Sequence, residues 1–85
     1  MIRVLLVDDQ PLIRQGLKAI FEATGEIKVV AEAASGNEAI AAAKARDIDV
    51  VCLDIRMPDG DGIYATTEIN KQDNPPAVIM ITTFD

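Results

Sequence analysis

"VVCLDIRMPDG", residues 50–60, decides how this chain folds. A run of four apolar residues, Val50 to Leu53, leads straight into the carboxylate Asp54, and a Pro-Asp-Gly turn follows at residues 58–60. A short, continuously apolar run is the pattern of a strand covered on both faces. Desolvating a carboxylate without partners costs several kcal/mol. A charge at the tip of such a strand therefore needs a reason.

Working outward, similar runs rich in β-branched residues occur at 2–7, 27–34 and 77–82, with helical signals between them. Ile13, Leu17, Ile20 and Phe21 fall on one helical face, and Gly25 supplies a stop. "SGNE" at 35–38 is a capping box that opens an Ala-rich helix over 36–46. A weaker helix is expected over 61–72, with Ala65, Thr66 and Ile69 facing in, ended by "NPP" at 74–76. Strands alternating with helices mean βαβ units and a parallel sheet. Lys28 and Glu32 make the second run an edge strand, whereas "VIMI" at 78–81 has the pattern of an interior one.

Composition bounds the function. The 85 residues suffice for one domain, and 49% hydrophobic with 26% charged is ordinary globular composition. A net charge of −6 argues against nucleic acid or anionic membrane as a direct partner. The absence of histidine excludes His-based triads and His-ligated zinc. The single cysteine, Cys52, sits in an apolar run and is expected as a buried structural thiol. No segment approaches a membrane span or a signal peptide, so a cytoplasmic location is expected.

A parallel sheet with helical crossovers collects its strand C-termini on one edge, where ligands bind. The first run ends in Asp8–Asp9 and the third in Asp54, so three carboxylates meet there if the two strands are neighbours. Asp9 could instead cap the helix starting near Pro11, a contribution of about 1 kcal/mol. Two like charges about 5 Å apart at an effective dielectric near 20 repel by roughly 3 kcal/mol, which outweighs the cap. The cluster is thus a candidate cation site. Oxygen ligands without His or Cys favour a hard cation, Mg²⁺ above all. Mg²⁺ suits phosphate chemistry, and one carboxylate, Asp54, could serve as a nucleophile that forms an acyl phosphate. Thr82, at the end of the fourth run, would place a hydroxyl on the same edge, although a threonine there is more often simply a β-former. Asp59 and Asp61 do not make an EF-hand loop, because the later ligands and the closing Glu are missing.

Together "VLLVDDQPLIRQGL", "VAEAASGNEAI", "DVVCLDIRMPDGDG" and "PAVIMITTFD" resemble the receiver domain of two-component response regulators, most closely the NarL/FixJ (LuxR-type) group. The resemblance runs in order through residues 1–85. It implies a flavodoxin-like, doubly wound parallel α/β sheet of strand order 2-1-3-4. It also implies Asp54 as phosphoacceptor, Asp8, Asp9 and Asp54 with the backbone carbonyl of Arg56 around Mg²⁺, and Thr82 as the switch hydroxyl. Receivers continue through a helix, a fifth strand carrying a Lys and a switch aromatic, and a last helix. By that resemblance these residues are the N-terminal two-thirds of a receiver, ending after the fourth strand. The implied partners are a sensor histidine kinase and, through a C-terminal helix-turn-helix outside these residues, DNA. The receiver would control transcription by accepting phosphate rather than act as an enzyme on other molecules. The bared fourth strand leads to an expectation of self-association as a dimer. A phosphate-independent pseudo-receiver is disfavoured, since all three acids are present. A Mg²⁺-dependent phosphohydrolase would want a second acid two residues past the nucleophile, where Arg56 stands. A flavodoxin would want a phosphate-cradling loop where "DDQP" stands.

Overall fold

The computed structural model describes residues 1–58 and 61–81. Seven elements alternate: β1 (Ile2–Val7), α1 (Pro11–Glu22), β2 (Ile27–Ala33), α2 (Gly36–Ala45), β3 (Val50–Asp54), α3 (Asp61–Asn70) and β4 (Ala77–Ile81). The four strands form one parallel sheet in the order β2-β1-β3-β4. This is the doubly wound arrangement that the sequence resemblance implied.

The central strands β1 and β3 are apolar over residues 4–7 and 50–53 because both faces are used. Leu5, Val7, Val51 and Leu53 point to one side and pack with Ala39, Ala43, Ala65 and Ile69 of α2 and α3. Val4, Leu6 and Cys52 point to the other side, against Leu17 and Phe21 of α1. The Cys52 thiol is buried, and that burial pushes its pKa up, as suits an inert packing group.

Local chemistry fixes the ends of the helices. The Ser35 hydroxyl accepts from the Glu38 N–H at 3.2 Å, and the Glu38 carboxylate reaches back to the Ala34 N–H at 3.4 Å. The capping box therefore forms, with its return bond one residue further out than expected. Gly25, at φ 76°, stops the chain after α1. The weak helix formers Thr66 and Thr67 donate their hydroxyls back to the carbonyls of Gly62 and Ile63, at 2.8 and 3.0 Å, which satisfies the hydroxyls within α3 without strengthening the helix.

One expectation needs correcting. Ile20, expected on the inner face of α1, is 66% exposed. The helix packs its Leu17 and Phe21 on the sheet, and Ile20 lies beyond the strip that β1 and β2 cover. β4 has the apolar pattern of an interior strand, yet among the described strands it pairs with β3 alone and is an edge, as the strand order 2-1-3-4 implied. Its Ile79 and Met80 are left 53% and 39% exposed.

Candidate functional site

β1 and β3 are neighbours, in the register Val4↔Val50 through Val7↔Leu53. The residues that follow this pairing, Asp8 and Asp54, therefore emerge side by side at the C-terminal edge. Asp54 is the last residue of β3 itself, one place beyond the apolar run. Asp8, Asp9 and Asp54 each bring a carboxylate oxygen to within 4.8 Å of the other two. Asp8 and Asp54 are buried and Asp9 is exposed. At that spacing the mutual repulsion of ionised pairs is about 3 kcal/mol for an effective dielectric near 20.

Both buried acids are aimed by turns of their own making. Asp8 Oδ1 accepts the Gln10 N–H at 2.8 Å, and Asp54 Oδ1 accepts the Arg56 N–H at 2.9 Å. Each is a carboxylate bonded to the backbone two residues on, the Asx-turn geometry. The alternative of Asp9 as helix cap does not hold. The N-cap of α1 is Gln10, without a side-chain cap, and Pro11 removes one of the donors that a cap would satisfy.

The second oxygen of Asp8 decides what the cluster can hold. Asp8 Oδ2 is buried without a hydrogen-bond partner, and an ionised carboxylate neighbour offers it only acceptors. Burial pushes the Asp8 pKa up. The Gln10 N–H opposes that shift, and the charges of Asp54 and Asp9 add to it. An unpartnered buried oxygen, beside two further carboxylate oxygens, is what a hard divalent cation satisfies. The donor set fits Mg²⁺.

The remaining expected site residues divide. Arg56 is exposed, and its N–H is the group that orients Asp54. Thr82 lies outside the described residues. The last described residue of β4, Ile81, pairs with Asp54, and its carbonyl accepts the Ile55 N–H at 3.0 Å. The fourth strand thus reaches the same edge as the acids. Two contacts were missed in the sequence. Arg14 donates to the Asp8 carbonyl at 2.6 Å, and the Gly36 N–H donates to the Asp61 carboxylate, joining the starts of α2 and α3. Only the first left a trace, a long cationic side chain six residues after Asp8 on the following helix. A groove of about 740 Å³ lies at the opposite end of the strands, between α2 and α3. Its Arg3, Lys44 and Lys71 alternate with Asp47, Asp49 and Glu68, so it presents no single charge to a ligand.

Residues 4–85 match the response regulator receiver domain. The transcriptional regulatory protein LiaR of Bacillus subtilis is 42% identical over 84 residues, covering 99% of this chain and 40% of LiaR. The chain therefore spans well under half the length of such curated relatives. Among solved structures, the signal receiver domain of the putative response regulator NarL from Mycobacterium tuberculosis superimposes with a TM-score of 0.88 at 36% identity, covering 99% of this chain and 68% of that one. The CheX–CheY–BeF3–Mg²⁺ complex of Borrelia burgdorferi gives 0.87 at 38%, covering 98% and 63%. Strand order, acidic edge and sequence agree, and this chain belongs to the response regulator receiver domain family.

Proposed function

We propose that Asp54 is the phosphoacceptor of this receiver, served by a Mg²⁺ site made of Asp8, Asp9, Asp54 and the carbonyl of Arg56. The unpartnered Asp8 Oδ2 within the three-acid cluster is the observation that carries the reading. It favours a working receiver over a phosphate-independent one. Mg²⁺, when bound, would offset the charge of the carboxylates and of the incoming phosphoryl group. Asp54, held by the Arg56 N–H, presents an oriented carboxylate. Its oxygen attacks the phosphorus of a kinase phosphohistidine. The new P–O bond forms as the P–N bond breaks, and the imidazole leaves as it takes up a proton. Thr82 would donate its hydroxyl to the transferred phosphoryl group.

The similarity to a CheY solved with BeF3 and Mg²⁺ supports this reading, as does the similarity to the regulator LiaR. A sensor histidine kinase is the proposed donor. Control of transcription, by a DNA-binding domain in a longer parent protein, is the proposed output. A cytoplasmic location accords with it, and no helix among the described residues is long and apolar enough to cross a membrane. Self-association belongs to the same proposal. Ile79 and Met80 are exposed on the edge strand β4, where a two-fold copy could pair or pack.

The test is incubation with Mg²⁺ and a small acyl-phosphate donor, followed by intact-mass measurement. Gain of one phosphoryl group, dependent on Mg²⁺, is expected. Steady release of inorganic phosphate without a labelled protein would instead favour a phosphohydrolase.

A further inference from the structure

We propose that Arg14 is a positioning residue for the metal pair, clamping the Asp8–Asp9 peptide so that Asp9 faces the site. The proposal rests on the Mg²⁺ reading above. Asp8 is fixed on its own account, since its N–H donates to the Ala33 carbonyl at 3.1 Å and its Oδ1 accepts from Gln10. Asp9 has no such support. It is exposed, and its side chain makes no hydrogen bond or ion pair among the described residues. What holds it near Asp8 and Asp54 is the peptide that joins it to Asp8.

Arg14 grips that peptide. Its Nη1 donates to the Asp8 carbonyl at 2.6 Å, while its Nε bonds Glu32 Oε1 at 3.3 Å. The Arg14 side chain is only 18% exposed. Glu32 is itself fixed within β2, where it pairs with Leu6 of β1, and its other oxygen faces Lys18 Nζ at 3.9 Å. A planar guanidinium can serve two acceptors in two directions at once, whereas an ammonium is a point charge that cannot hold both in fixed geometry. The Asp8–Asp9 turn is thereby referenced to the sheet edge through Glu32, not to α1 alone. This also accounts for a cation placed beside a cluster meant to attract cations.

That last point gives the test its sign. If Arg14 acted only as a charge, its removal would strengthen Mg²⁺ binding, because a repelling cation would be gone. If it were merely structural, its removal would lower stability and leave Mg²⁺ affinity unchanged. Positioning predicts weaker binding in spite of the lost charge. The experiment is a Mg²⁺ titration of the metal-free protein followed by amide NMR shifts, for wild type, Arg14→Gln and Arg14→Lys. Arg14→Gln should bind Mg²⁺ about tenfold more weakly, the scale on which partners that orient metal ligands act. Arg14→Lys, with the charge kept and the fork lost, should fall between. Equal or tighter binding by folded Arg14→Gln overturns the proposal. Should that variant not fold, Arg14→Lys decides alone, and affinity equal to wild type overturns it. Wild type that fails to saturate with Mg²⁺ sinks the metal reading and this proposal together.

Discussion

The Gly36 N–H, at the start of α2, donates to the carboxylate of Asp61, at the start of α3, and the approach is so close that Gly36 has no room for a side chain. A Cβ at position 36 would press on the Asp61 side chain and also come within 2.8 Å of the Asp61 backbone oxygen. Backbone cannot swing aside as a side-chain tip can. Gly36→Ala should therefore cost about 1–3 kcal/mol, the range for overpacking. Gly16 is the internal control. It lies within α1, and a Cβ there meets nothing within 4 Å. Gly16→Ala should add roughly 0.5–1 kcal/mol by lowering the entropy of the unfolded chain. Thermal melts should move in opposite directions for the two variants, and movement in the same direction would contradict the packing described.

The metal cluster gives a second expectation. With millimolar affinity and about 10 mM Mg²⁺, linkage raises stability by about 1.4 kcal/mol, several degrees for so small a domain. Asp9→Asn should remove that response while stabilising the metal-free protein, since one of three crowded charges is gone. Superimposable melts of wild type with and without Mg²⁺ would rule out the site.

The legible part of this molecule was its periodicity and its acids. Continuous apolar runs in β1 and β3 announced strands covered on both faces, and the carboxylates at their ends announced the site. Element boundaries were near the observed ones, with Asp54 drawn into β3 by its pairing to Ile81. What could not be seen depends on distance in space. The Asx turns of Asp8 and Asp54 need a backbone path that no pattern specifies. The Arg14–Glu32 pair joins α1 to a strand 18 residues away. The exposure of Ile20 depends on which neighbour covers α1, and amphipathic spacing alone does not name that neighbour.

At the other end of the sheet, Arg3 holds Asp49 through its side chain and its backbone N–H, and these bonds pull the Asp49 pKa from 3.8 down to about 2. A carboxylate with a lowered folded pKa contributes stability that is full above its ordinary value and is lost as pH falls through the folded one. Urea midpoints of wild type should exceed those of Asp49→Asn near neutrality. The gap should close between about pH 4 and pH 2. A gap that stays constant through that window would show that the carboxylate charge is not what stabilises. Both side chains are solvent-exposed, so added salt should narrow the gap as well.

Self-association through β4 is checked by light scattering during size-exclusion chromatography. A dimer is expected at about 100 μM, and Ile79→Lys or Met80→Lys should dissociate it, because a charge on an exposed edge strand blocks pairing. A monomer with a cooperative melt would exclude β4 as the contact.

The central claim, that Asp54 carries the phosphoryl group, is tested most directly by locating that group. After incubation with Mg²⁺ and an acyl-phosphate donor, borohydride reduction converts a phosphorylated aspartate to homoserine, which peptide mass mapping then places. The expected result is homoserine at position 54 in wild type and none in Asp54→Asn, whose amide is a poor nucleophile. Homoserine at position 8 or 9, or equal labelling of Asp54→Asn and wild type, would contradict the assignment.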